Sequence, residues 1–143
     1  MKRNRWISAI GALALVTLVS CSAAAEAALE APAEVEEMGD GLSRLTLTRR
    51  AVERLAIETA PVTSAGGRRV VPYAAIFYDA DGQAWVYTSL PDRVYVRAPV
   101  AVERIDGEAS VAVLASGPPI GTKVVTVGVI ELWGTETGVG GGH

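Results

Sequence analysis

The sequence predicts an all-β protein: a small antiparallel β-roll or barrel of about six strands with one short helix, preceded by a signal peptide and a flexible linker. Three observations carry that prediction. Between Val70 and Leu132, short runs rich in Val, Ile, Tyr, Phe and Trp are broken at near-regular intervals by turn formers. Asp81-Gly82 and Asp106-Gly107 supply hairpin turns, and Ser116-Gly117-Pro118-Pro119-Ile120-Gly121 cannot continue any regular element. Helical periodicity is confined to about two turns after Thr48. A chain of 143 residues has room for one domain.

Residues 1–20 read as a lipoprotein signal peptide. Lys2, Arg3 and Arg5 form a basic start, and the run from Trp6 to Val19 carries no charge before Leu18-Val19-Ser20-Cys21. That run is about 14 residues, short of the roughly 20 a spanning helix needs. Cys21 is the single cysteine, so it has no partner for an internal disulfide. Leu three positions before it and a small residue directly before it form a lipobox, which predicts lipidation of Cys21. Two or three acyl chains anchor firmly, at about 0.8 kcal/mol per buried methylene. The expected location is the cell envelope, lipid-anchored on the extracytoplasmic side of a membrane.

Removal of residues 1–20, with three basic residues, moves the formal charge from −3 to −6. Nucleic-acid binding needs clustered Lys and Arg to displace counterions, so no nucleic-acid partner is expected. The expected partners are the membrane, through the lipid anchor, and a transporter or other envelope protein.

Residues 21–43 read as an acidic flexible linker. They hold Glu26, Glu30, Glu34, Glu36, Glu37 and Asp40, no basic residue and an Ala31-Pro32 interruption, without an apolar face to hold a helix to a core. As a random chain of about 20 residues this segment would span on the order of 25 Å. Residues 44–133 form the β domain, and 134–143 a glycine-rich tail.

Within the domain, the Thr48 hydroxyl suits an N-cap, with Val52, Leu55 and Ala56 on one helical face. Ala56 to Val62 reads as a strand with Pro61 near an edge or an end, and Thr63 to Gly67 as a loop. Tyr73 to Tyr78 and Ala84 to Thr88 flank the hairpin loop Asp79-Ala80-Asp81-Gly82-Gln83. Val94 to Val102 alternates Val94, Val96, Ala98, Val100 and Val102 against Tyr95, Arg97, Pro99 and Ala101, which predicts a half-buried strand bulged or edged at Pro99. Ala109 to Ala115 follows the Asp106-Gly107 turn. Lys123 to Val129 closes the domain, with Ile130 to Trp133 as an extension of that strand.

Catalytic chemistry finds few residues. His143 is the only histidine, and one imidazole on a Gly-rich tail falls short of the three or four ligands of a metal site. Asp79 and Asp81 open a short acidic string, yet the later acidic ligands and closing Glu of a calcium loop are missing. No base lies within reach of a serine nucleophile, and no glycine-rich loop joins a strand to a helix to cradle phosphate. The expectation is a protein that is not an enzyme and takes no metal or cofactor. Arg93, Tyr95 and Arg97, alternating on the polar face of one strand, together with Arg104, are the candidate partner-binding residues, with an ordinary solvated face as the plainer reading.

Two stretches resemble the periplasmic adaptor subunits of efflux transporters, the membrane fusion proteins of the HlyD type. Leu45 to Val62, L-T-L-T-R-R-A-V-E-R-L-A-I-E-T-A-P-V, is similar to the segment that opens the folded part of many adaptors. Val70 to Leu132, with its S-G-x-x-x-G turn before Val124-Val125, is similar to their closing membrane-proximal domain. The resemblance implies that the two stretches meet in one β-roll, with Ala56 to Val62 paired to later strands. It also implies a domain reduced to its membrane-proximal part, since only Thr63 to Arg69 separates the stretches where an adaptor carries its lipoyl-like and hairpin domains. The function implied is an accessory or reduced adaptor docking on an extracytoplasmic face of a transporter. The alternative is a surface lipoprotein that uses the same domain for a small ligand or envelope component.

Overall fold

A computed structural model describes residues 31–108 and 110–138. The signal peptide, Cys21 and His143 lie outside the described residues. Strands dominate, paired antiparallel into two sheets. The larger runs in the order β1 (Ala33–Gly39), β2 (Leu42–Leu47), β8 (Val94–Pro99), β7 (Ala84–Leu90), β11 (Lys123–Val127), β3 (Glu58–Pro61), with β6 (Phe77–Tyr78) also paired to β7. The smaller runs β4 (Thr63–Ala65), β5 (Arg68–Pro72), β10 (Val111–Ser116), β9 (Ala101–Asp106). Two α-helices among the described residues, α1 (Arg49–Arg54) and α2 (Val129–Glu136), complete the fold.

The chain passes between the sheets at two corners. β3 gives way to β4 at Val62, and β8 to β9 at Val100, both buried. The long strand expected from Val94 to Val102 is therefore two strands in different sheets, broken beside Pro99, which has no N–H to give to a ladder.

Two cores result. Val62, Val71, Ala75, Ala84, Val86, Val100, Ala112, Leu114 and Val124 fill the space between the sheets. Leu45, Leu47, Phe77, Tyr87, Tyr95 and Val125 face the other way and pack with Ala51 of α1 and with Val129 and Leu132 of α2. The larger sheet is thus the middle of three layers. Neighbouring residues such as Val86 and Tyr87, or Val124 and Val125, are fully buried on opposite faces.

Several local expectations hold. Thr48 Oγ1 accepts from the Ala51 N–H at 3.1 Å, capping α1. β3 pairs with β11, Ala60 opposite Val124 and Thr59 opposite Val125, so the segment around 58–61 does join the later strands. The Asp79 to Gln83 loop joins β6 to β7, and its first carboxylate holds it: Asp79 Oδ1 accepts from the N–H groups of Asp81 and Gln83 at 3.0 and 2.8 Å, and Oδ2 from Trp85 Nε1 at 2.8 Å. The Trp85 bond, then that from Gln83, keeps the Asp79 carboxyl below its ordinary pKa.

Other expectations need correction. The acidic segment is not all linker, because Ala33–Gly39 pairs along its length with β2, Ala33 opposite Leu47 and Val35 opposite Leu45. Ala33 packs on the helix-side core while Glu34, Glu36 and Glu37 stay exposed, so an edge strand with one apolar residue facing inward passes for a polar tether. Thr63 to Gly67 is not a loop but half of a hairpin turning at Gly66-Gly67, whose φ values of +57° and +75° suit a two-residue turn. Asp106-Gly107, by contrast, does not close its hairpin as a two-residue turn: Asp106 pairs with Val111, leaving residues 107–110 between them. Ile130 to Trp133 does not extend β11. Gly128, at φ +90°, ends the strand and starts α2.

Candidate functional site

The four candidate partner-binding residues do not share a surface. Tyr95 is 3 % exposed and belongs to the helix-side core. Arg97 points the same way, beneath α2, where its guanidinium stands 4.1 Å from the Trp85 ring centre and 5.1 Å from that of Trp133. Arg104 is exposed on β9, the edge of the other sheet, and Arg93 lies exposed just before β8 with Nε donating to the Leu47 carbonyl at 3.0 Å. The alternation was legible; which face it buried was not. Covering both faces of the larger sheet reverses the ordinary meaning of a polar stripe.

Arg97 is held by a closed set of partners. Its Nε donates to Glu136 Oε1 at 2.9 Å, and Nη2 donates to the Gly41 carbonyl. The Tyr87 hydroxyl donates to the other Glu136 oxygen. Phe77 stacks on Tyr87 with centroids 5.2 Å apart, and Trp133 tilts against Phe77 at 5.4 Å. The Arg97 and Glu136 side chains are only 12 % and 4 % exposed. Burial first, then the bond to Glu136, raises the Tyr87 pKa far above its ordinary value. Both carboxylate oxygens are occupied by the protein's own donors, so the cluster acts as a lock joining β7, β8, α2 and the β1–β2 turn.

The surfaces open to a partner lie elsewhere. β1 is an edge strand of seven residues, and Val35 and Met38 on it are 43 % and 48 % exposed. An open edge offers unpaired backbone groups to an added strand. Beside the start of β1, where Thr48 N–H donates to the Pro32 carbonyl at 3.0 Å, two clefts open. One, of about 400 Å³, has Ala33, Glu34, Thr46 and Arg93 in its walls. The other, of about 470 Å³, is largely apolar, with Ala33, Val35, Leu47, Ala51 and Leu55 in its walls and Arg54 beside them.

Sequence reasoning missed both surfaces. The Gly39-Asp40-Gly41 string was the available sign of a β1–β2 hairpin, since an Asp-Gly pair between two extended runs marks such a turn. Among the described residues no group of three His, Cys, Asp or Glu side chains comes together as a metal site, and no helix is long and apolar enough to cross a membrane. No protein-family model, curated protein or solved structure matches the chain.

Proposed function

We propose that the chain is a membrane-anchored lipoprotein acting as an accessory or reduced adaptor, which docks on an extracytoplasmic face of an efflux transporter. The pairing of β3 with β11 carries this reading, because it unites the stretches around 45–62 and 70–132 in the way the adaptor resemblance implies. Lipidation at Cys21 would set the range. Eleven residues lie between Cys21 and Ala33, a span of at most about 40 Å when fully extended, so β1 stays close to its membrane. The open edge of β1, rather than the Arg93 to Arg97 stripe, supplies the docking surface.

The ligand-binding alternative draws less support. A ligand inside the roll needs a cavity between the sheets, and Val62, Val71, Val86, Ala112, Leu114 and Val124 pack that space, each no more than 1 % exposed.

A photo-cross-linker at Met38 in intact cells tests docking, with Ile105 on β9 as the control position. Capture of a transporter subunit from Met38 but not from Ile105 is the expected result. A protein recovered free from both positions would overturn the adaptor function. Reversing Arg97 is no test of docking, because it breaks the interior lock.

A further inference from the structure

Among the described residues of this acidic chain, a group of arginines stands where β1 begins. Arg49, Arg50 and Arg54 on α1, and Arg93 before β8, are all exposed. Their positions are tied to that end: Thr48, which precedes Arg49, bonds Pro32; Arg54 and Ala33 wall one cleft; Arg93 and Ala33 wall the other. The acidic groups among them are Glu53, 3.9 Å from Arg49, with Glu34 in the Arg93 cleft and Asp92 next to Arg93. Among the described residues four cations stand against three anions at this end, with Glu26 and Glu30 in the segment that leads to β1, in a chain whose residues 21–143 sum to −6.

Local helix chemistry accounts for Arg54, which stands in the last turn of α1, and for Arg49, which faces Glu53 four residues on, but not for Arg50. Arg49 and Arg50 occupy the first turn of α1, which has no acidic residue, although the helix dipole disfavours cations there. Arg50 and Arg54 stand four apart on one face, a like-charge pair that weakens a helix. For Arg50, a local rule broken without a local gain points to a use outside the helix. The opposite end of the β1–β2 hairpin carries exposed Glu37 and Asp40, roughly 20 Å along the strand, so the charge separates along β1.

We propose that this end is the face the domain lays on the bilayer, with Arg49, Arg50, Arg54 and Arg93 engaging the phosphates of anionic phospholipid headgroups and the apolar cleft beside Arg54 opening to the same surface. The inference rests on the Cys21 anchor, which brings the start of β1 to the membrane before any other part of the fold. Guanidinium groups suit phosphate because they present paired donors. The acidic hairpin tip, repelled by an anionic surface, turns outward and leaves the β1 edge upright beside the membrane.

The test uses the lipidated protein in vesicles whose headgroups carry a spin-label quencher. Glu53→Cys or Ser64→Cys bears the fluorophore; with Cys21 acylated, each is the only free thiol. Ser64 is exposed on β4, an edge strand of the smaller sheet, past the corner at Val62. In phosphatidylglycerol vesicles, quenching at position 53 is expected to exceed that at 64 several-fold. The excess should collapse in phosphatidylcholine, in 1 M salt (about a 3 Å screening length), and in R49E/R50E/R54E or its milder form R49Q/R50Q/R54Q. Equal quenching at the two positions, or an excess unchanged in the glutamine variant, would overturn the inference. Flotation and intact mass are read first. A protein without acyl chains that fails to float overturns the anchor together with this inference, whereas a floating protein with equal quenching leaves the anchor standing.

Discussion

Arg97 joins parts of the fold that lie far apart in sequence, and its cost and value follow from burial. A buried ion pair gives little net stability over apolar packing, but removing one partner strands the other charge. Arg97→Met or Glu136→Met alone is therefore expected to cost about 3–5 kcal/mol, while the double replacement R97M/E136M recovers most of it. Urea denaturation of the four proteins measures this, and additive losses would contradict the lock. Tyr87 and Tyr95 supply a pH dependence. Burial raises both phenol pKa values, so the folded chain holds protons that the unfolded chain releases near pH 10. Their contribution is present in full below pH 10 and is lost as pH rises above it. Stability should fall from pH 10 upward, and Tyr87→Phe should flatten that fall without abolishing it, because Tyr95 still titrates.

At the scale of elements, α2 converts a sheet with one bare face into the middle of three layers. Val129, Leu132, Trp133 and Glu136 recur at helical spacing and face inward, whereas Ile130 and Glu131 stay exposed. That period was present in the sequence, hidden by the Val-rich run of β11 directly before it. Gly128 decides the change of element. A methyl group there would sit 2.2 Å from Ile57 Cδ1, and the backbone stands at φ +90°. Ile57 can swing aside but the backbone cannot, so Gly128→Ala should cost about 1–2 kcal/mol, read as a lower midpoint in urea. Midpoints within error of the original would mean that the strand-to-helix change tolerates another backbone path.

Over the whole molecule, the two cores are coupled through β7 and β11, which bury Val86 and Val124 on one face and Tyr87 and Val125 on the other. Neither core can come apart without exposing the strands of the other. Unfolding should therefore be one transition, with tryptophan fluorescence and far-ultraviolet circular dichroism coinciding. Trp85 and Trp133, the tryptophans of residues 21–143, both report the helix layer, so an earlier fluorescence transition would reveal that α2 leaves on its own.

By itself the sequence determined what depends on neighbours along the chain: an all-β domain, the Thr48 cap, the hairpin at Asp79 to Gln83 and the break at Pro99. These follow from backbone restriction and side chains that bond within a few residues. The tertiary structure alone decided which face of each strand is buried, that Glu34 to Glu37 edge a sheet instead of trailing as a linker, that Tyr95 and Arg97 turn inward, and that Arg93 and Arg54 both come to the start of β1. Alternation along a strand shows that its two faces differ. Which of them meets water is fixed by what packs above and below, and here α2 covers the face whose polar residues suggested solvent.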